Sequence, residues 1–388
     1  MTRIRIPVLA AAATASAALL SPLAGAARGV RRSMGARPAE AYDSPQFHDG
    51  VFHNRLPMSV VEPGSTGSMA AEWARRGDVG RPRGEVPVTR PELPKRAADL
   101  AATWLGHATV LLEVGGHWVL TDPVWSDRVS PSATVGPRRS HPVPIELADL
   151  PPLSAILISH DHYDHLDTTT IDALVELQDA PLVVPLGISA HLRRWGVPEN
   201  RIVELDWGQS HRVGDLTLTC TEARHFSGRG FVRNTTLWSS WVAAAGDRRV
   251  FFGGDTGYTP AFTGIGEDYG PFDLTVLPIG AYDRRWRDVH MDPAEAVRCH
   301  LDVQGEAGSD SGGDRADGVL LPIHWATFDL AFHRWAAPAD WVREEAAERG
   351  VTVALPRPGE RFEIDPEHPS DVPDDDWWTA AAGRPASS

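Results

Sequence analysis

Apolar positions along the chain fall into short runs, and the runs change character near residue 210. Before that point, Trp104–Val114 reads as one strand, Gly115-Gly116 as a turn and His117–Thr121 as the returning strand, because two apolar runs flanking Gly-Gly are a hairpin signal. Ala155–Ser159 is a compact apolar run of the kind that forms a buried strand. Asp167 precedes Ile171, Leu174 and Val175, whose spacing predicts a helix with Asp167 as its N-cap. Leu182–Val184 predicts another strand, and Ile188, Leu192 and Trp195 a short helix stopped by Gly196.

Beyond residue 210, Leu216, Leu218 and Cys220 alternate as a half-buried strand. Leu237–Ala245 and Arg249–Phe252 predict a hairpin around Gly246-Asp247, and Leu274–Leu277 a buried strand. Pro293–His300 opens a helix with proline in its first turn. Val319–Ile323 is expected as a strand, Ala339–Arg349 as an amphipathic helix ended by Gly350, and Val351–Ala354 as the last strand. No repeat of solenoid length is visible. Two successive mixed halves imply two sheets with helices outside, an α+β or layered α/β architecture.

The pattern lapses at the flanks. Residues 28–98 are rich in Arg, Pro and Gly and are expected to form an irregular arm over a domain spanning 99–364. Residues 305–318 and the acidic tail 365–388 are expected to be disordered. In residues 1–27, Arg3 and Arg5 precede an Ala-rich apolar run ending in Ala24-Gly25-Ala26, the form of a signal peptide. A membrane anchor is the rival, against which Ser16, Ser21 and Pro22 weigh. This segment predicts an exported or membrane-associated protein, with a cytoplasmic one as the alternative.

Composition narrows the chemistry. The 388 residues carry 37 basic against 52 acidic side chains, a net charge of −15, which argues against nucleic-acid binding. An anionic substrate stays open, since a bound metal reverses the local field. Cys220 and Cys299 make no disulfide framework and are expected as two packed thiols.

One segment stands apart. His160-Asp161-His162-Tyr163-Asp164-His165 places three imidazoles and a ligating carboxylate directly after the run AILIS. These are the ligand types of open catalytic zinc sites, and a buried strand end is the wrong place for a solvated tag. His225 after LTCTEAR, Asp255 after VFFGG and His324 after VLLPI stand at strand ends as further candidate ligands, and His290 lies in a loop.

With WLGHATVLLEVGGHWVLTDPVWSDRVSP, FFGGDTGY, HMDPAEAV and LPIHWATF, this segment resembles the metallo-β-lactamase superfamily. Within it, the chain is similar to the branch containing N-acyl-phosphatidylethanolamine phospholipase D and bacterial lactonase-like proteins, over roughly residues 45–363. The resemblance implies an αββα sandwich with the site at its edge and two zinc ions. One zinc would sit on His160, His162 and His225, the other on Asp164, His165 and His324, with Asp255 bridging. Asp161 replaces an asparagine frequent in the branch and is expected to point away from the metals. Iron-binding relatives carry Glu at the second histidine position, so His162 favours zinc and hydrolysis.

The implied catalytic residues are Asp164, Asp255 and His290, the last near substrate or leaving group, or else a helix-capping residue. The implied substrate is a small molecule or lipid, at a membrane surface if the phospholipase likeness extends that far. The expected reaction is phosphodiester hydrolysis, with a lactone or carboxylic ester as the alternative bond and a non-catalytic metal-binding protein as the alternative class. Asp122 is expected either to fix a ligand imidazole or to cap a loop before Pro123. His107 is expected to be structural within its strand. His117, His141, His191, His211, His300 and His333 are expected at the surface or in packing. Trp238, Trp241, Trp286, Trp325 and Trp335 would either line an acyl groove or fill the core.

Overall fold

The structure is a computed structural model that describes residues 29–36, 41–230, 232–305, 318–365, 368 and 371–384. The signal-like segment 1–27 and most of the loop 305–318 lie outside the described residues. Among the described residues no helix is long and apolar enough to cross a membrane.

The arm opens with a small hairpin, β1 (Phe47–His48) and β2 (Val51–Phe52), followed by helix α1 (Thr66–Arg75), so it is more regular than its composition predicts. The first half then runs β3 (Leu100–Gly106), β4 (Thr109–Val114), β5 (His117–Thr121), β6 (Ala155–Leu157), α2 (Thr168–Leu177), β7 (Leu182–Pro185), α3 (Ser189–Trp195) and β8 (Ile202–Leu205). The second half runs β9 (Ser210–Val213), β10 (Leu216–Thr221), β11 (Ser240–Ala245), β12 (Arg248–Phe252), α4 (Ala261–Tyr269), β13 (Leu274–Pro278), α5 (Pro293–Val303), β14 (Val319–Ile323) and α6 (Ala337–Arg349). The chain closes with β15 (Arg361–Glu363) and α7 (Trp377–Ala381).

The strands form a seven-stranded sheet, β15-β3-β4-β5-β6-β7-β8, and a six-stranded sheet, β14-β13-β12-β11-β10-β9. In each, an antiparallel part passes into a parallel one, at β5/β6 and at β12/β13. Along β4 the side chains alternate between two cores. Val110, Leu112 and Val114 enter the core between the sheets, and Leu111 enters the one beneath α2 and α3. Helices α4, α5 and α6 cover the far face of the second sheet, through residues such as Phe262, Val297 and Val342. This is the expected αββα sandwich.

The predicted caps form. Asp167 accepts the amides of Thr169 and Thr170 at the start of α2, and Gly196 ends α3 with φ of 90°. Asp292 and Glu295 make a reciprocal capping box on α5, with Pro293 at its first position. Cys220 and Cys299 are buried free thiols.

Three expectations fail for local reasons. The run Trp104–Val114 is two strands, because Gly106 and His107 take positive φ (111° and 53°) and turn the chain. A Cβ at Gly106 would lie 2.7 Å from the His141 ring, so glycine is needed there on two counts. Val351–Ala354 makes only a bridge, Val353 to Leu320. Leu320 exchanges bonds with Thr352 and Ala354, but the next donor on β14 would be Pro322, which has no N–H. The last strand is instead β15, antiparallel to β3 on the other sheet, where Arg361 meets the buried Glu113 at 2.6 Å. The tail is not wholly irregular either, since Trp377 and Trp378 of α7 are buried against Trp325.

Candidate metal centre

The loops that leave β5, β6, β10, β12 and β14 meet at one edge of the sandwich. Asp122 follows β5, the segment 160–165 follows β6, His225 follows β10, Asp255 follows β12 and His324 follows β14. All seven candidate ligands are within this one cluster, together with His290 and His107.

His160 Nε2 and His225 Nε2 lie 2.7 and 3.4 Å from His162 Nδ1, so three imidazole nitrogens converge on one point. A second point is framed by Asp164 Oδ2, 3.5 Å from both His165 Nε2 and His324 Nε2. Asp255 Oδ2 stands between them. It is 3.2 Å from His165 Nε2, 3.1 Å from His324 Nε2, 4.0 Å from His160 Nε2 and 3.9 Å from His225 Nε2. His290 Nδ1 is 3.9 Å from the same oxygen.

Hydrogen bonds from behind fix which nitrogen of each ring faces inward. Asp122 Oδ2 is 2.7 Å from His165 Nδ1 and also accepts the Ser159 hydroxyl at 2.6 Å. That hydroxyl is 2.9 Å from His160 Nδ1, so one carboxylate orients two rings. His225 Nδ1 donates to the Val289 carbonyl at 2.8 Å. Asp161, as expected, turns away: it accepts the Gly228 amide at 2.7 Å and lies 3.3 Å from His191 Nε2.

Two residues escaped the sequence reading. His107, expected to be structural within a strand, occupies the β3–β4 turn and places Nε2 2.9 Å from Asp164 Oδ2. Arg229 is buried and donates to three carbonyls: Asp161 at 2.8 Å and Leu166 at 2.6 Å, at the two ends of the ligand loop, and Ser33 in the arm at 2.8 Å. Its guanidinium lies 4.2 Å from the Tyr163 ring centre and 5.1 Å from that of Trp195. The glycine before it, in FSGRG, was the one available hint. Four of the five tryptophans considered for an acyl groove, Trp238, Trp241, Trp325 and Trp335, are buried in the core.

The electrostatics suit a cation. Burial, then neighbouring imidazoles, holds His160 well below its ordinary pKa; burial does the same to His225. Burial works against Asp255 and Asp164 ionising, but the imidazoles around them, His165 foremost, reverse it and hold both well below the carboxylate range. His160 and His225 are therefore neutral and Asp164 and Asp255 ionised, whereas Asp255 and Asp164 overcome burial to raise His165 well above its ordinary pKa and His324 to about 9, so at those two rings a metal would take the place of a proton.

Residues 117–325 match the family model described as a β-lactamase superfamily domain, which is more than half of the chain. The chain belongs to the metallo-β-lactamase superfamily, among its metal-dependent hydrolases. An uncharacterized protein of Mycobacterium tuberculosis is 50% identical over 375 residues, 95% of this chain and 97% of that protein. The N-acyl-phosphatidylethanolamine-hydrolyzing phospholipase D 1 of Caenorhabditis elegans is 38% identical over 260 residues, 64% of this chain and 70% of the enzyme. Among solved structures, an isothiocyanate hydrolase from Delia radicum gut bacteria shares the fold. It has a TM-score of 0.52 at 19% identity and covers 69% of this chain and 99% of that one.

Proposed function

We propose that this chain is a two-zinc hydrolase that cleaves a phosphodiester, with His160, His162 and His225 on one metal, Asp164, His165 and His324 on the other, and Asp255 shared. The observation that carries it is the single oxygen Asp255 Oδ2, with nitrogens of His160, His165, His225, His290 and His324 within 4.0 Å. The residues fit such a pair. Asp255 Oδ1, His165 Nε2 and His324 Nε2 are buried with no hydrogen-bond partner among the described residues, a costly arrangement unless a cation satisfies them. Imidazole with carboxylate is a zinc donor set. When bound, the metals supply Lewis acidity and an acidified water at neutral pH.

The chain's own residues do the rest. Asp255 Oδ1, held ionised, is the acceptor for the proton of the attacking water. Asp164 keeps a second negative charge beside His165 and His324. His290 is 16% exposed at its side chain and has an unpartnered Nδ1. Burial lowers its pKa to about 4, so it is a neutral hydrogen-bonding group facing substrate or leaving group. The phosphodiester class is supported by the 38% identity to the worm phospholipase D.

The test is turnover by the purified, zinc-loaded full chain on bis(p-nitrophenyl) phosphate and N-acyl-phosphatidylethanolamine, beside a panel of lactones and carboxylic esters. Phosphodiester turnover lost on chelation and restored by zinc is expected, with metal analysis giving two zinc per chain. Lactone turnover alone would overturn the substrate class. A metal-replete protein with no hydrolytic activity on either panel would favour the binding role.

A further inference from the structure

A cavity of about 880 Å³ lies away from the ligand cluster, where the arm, the start of α6 and the end of α7 come together. Its walls are tied to one another by main-chain bonds. Trp335 N donates to Val79 O at 3.1 Å, and the amides of Arg83 and Gly84 both donate to Ala381 O at 2.9 Å. The shape is therefore a product of the fold rather than of loose side chains.

Its charge runs against that of the chain. In a protein of net charge −15, this cavity is lined by Arg76, Arg81, Arg83, Arg334 and Arg384, with Asp78 and Asp340 in the wall and Asp329 just behind it. Three of the arginines are engaged: Arg76 with Asp329, Arg81 with Asp78, and Arg384 with Asp340. Arg83 and Arg334 have no carboxylate partner among the described residues, and both are exposed. The wall also has an apolar part, chiefly Val79 and Ala337, with the largely buried Ala336 and Trp335 behind them.

We propose that this cavity binds a small organic phosphate monoester, whose dianionic head is held by Arg83 and Arg334 and whose body lies on the apolar wall at Val79 and Ala337. Two free guanidiniums match a doubly charged group, and their planar forks suit phosphate oxygens. The volume exceeds what an inorganic ion fills, and the apolar wall gives an organic body a surface to cover. One wall residue reaches toward the metal centre. Trp335 also lines the small space beside His324, and its Nε1 donates to the Ala326 carbonyl at 2.9 Å, two residues beyond His324.

The experiment is calorimetric titration of the full chain with phenyl phosphate and, separately, inorganic phosphate. It uses the zinc-loaded wild type, Arg83→Gln/Arg334→Gln, and His165→Ala. Binding of phenyl phosphate is expected to persist in His165→Ala, to weaken about tenfold or more in the double arginine variant, and to exceed that of inorganic phosphate. The arginine variant should keep its circular dichroism spectrum and its zinc count, since both side chains are exposed. Absence of binding, binding lost with His165 alone, binding indifferent to both arginines, or equal affinity for the inorganic ion would each overturn the assignment.

Discussion

The first sheet sends His160, His162, Asp164 and His165 to the centre on one loop, whereas the second sends His225, Asp255 and His324 on three. Four candidate ligands on one loop need that loop held as a rigid body. Arg229 grips its two ends, and Asp122 fixes its first and last imidazoles. The second half is held ligand by ligand: Asp255 and His324 stand just past their strands, and the Asn54 side chain brackets His225, accepting its amide at 3.2 Å and donating to its carbonyl at 2.8 Å. It also uses backbone conformation: Gly254, before Asp255, and His324 both take positive φ, 58° and 63°. A Cβ at Gly254 would lie 2.5 Å from Ser159 Cβ, so the two halves touch there with no room for a side chain. One centre is thus held as a single clamped loop on one side and ligand by ligand on the other.

The largest expected effect comes from the residue both metals would share. Asp255→Asn should lose more than the ~10–100-fold typical of removing an outer partner, and should lower the zinc count measured by metal analysis. Unchanged count and rate would remove Asp255 from the centre. Next is Asp122→Asn, which leaves every candidate ligand in place but loosens two rings at once. A drop of about 10–100-fold in zinc affinity, read by competition with a chelator, is expected.

The clamp itself is separable from general stability by comparing two buried arginines. Arg201 donates to the Ala180 and Val175 carbonyls and has no contact with the ligand loop. Arg201→Ala and Arg229→Ala should each cost roughly 1–3 kcal/mol in denaturant unfolding, from carbonyls left unpaired. Arg229→Ala alone should also weaken zinc binding, and equal affinity in the two variants would show that the loop holds itself.

A further effect, silent at neutral pH, lies behind the second sheet. His300 is buried on α5, bonded through Nδ1 to Thr275 at 2.7 Å, and burial lowers its pKa to about 4. The unfolded chain binds this proton from about pH 6.5 downward and the folded one only near its lowered value. Stability is therefore whole above about pH 6.5 and falls by roughly 1.4 kcal/mol per pH unit toward pH 4. His300→Gln should make the stability–pH curve shallower by that amount over the same window, and an unchanged slope would show that His300 does not set it.

The same contrast explains what was legible in the sequence. The ligand loop is contiguous, so its chemistry is visible as a string, and His225, Asp255 and His324 are visible because each stands near the end of a recognisable strand. His107 was hidden because the apolar residues on either side continue one strand pattern across the turn that Gly106 makes. Arg229 was hidden because its work is done on main-chain carbonyls, which have no signature in side-chain identity. The missing strand at Val351–Ala354 depended on Pro322, a residue on a different segment. The tryptophans could not be sorted between groove and core, since the same residue type serves both until neighbours are known.

The pairing of β15 with β3 bears on how the molecule is made. The first sheet is threaded first and finished last, because the strand that covers its edge comes after the whole of the second sheet. On the ribosome, Leu100–Gly106 waits with one row of main-chain groups unsatisfied, and Glu113 without its arginine, until Glu363 has emerged. An open edge of entirely buried residues is the kind of surface that recruits foreign strands. Nascent chains stalled or truncated before that point should be the form in which this protein calls on chaperones.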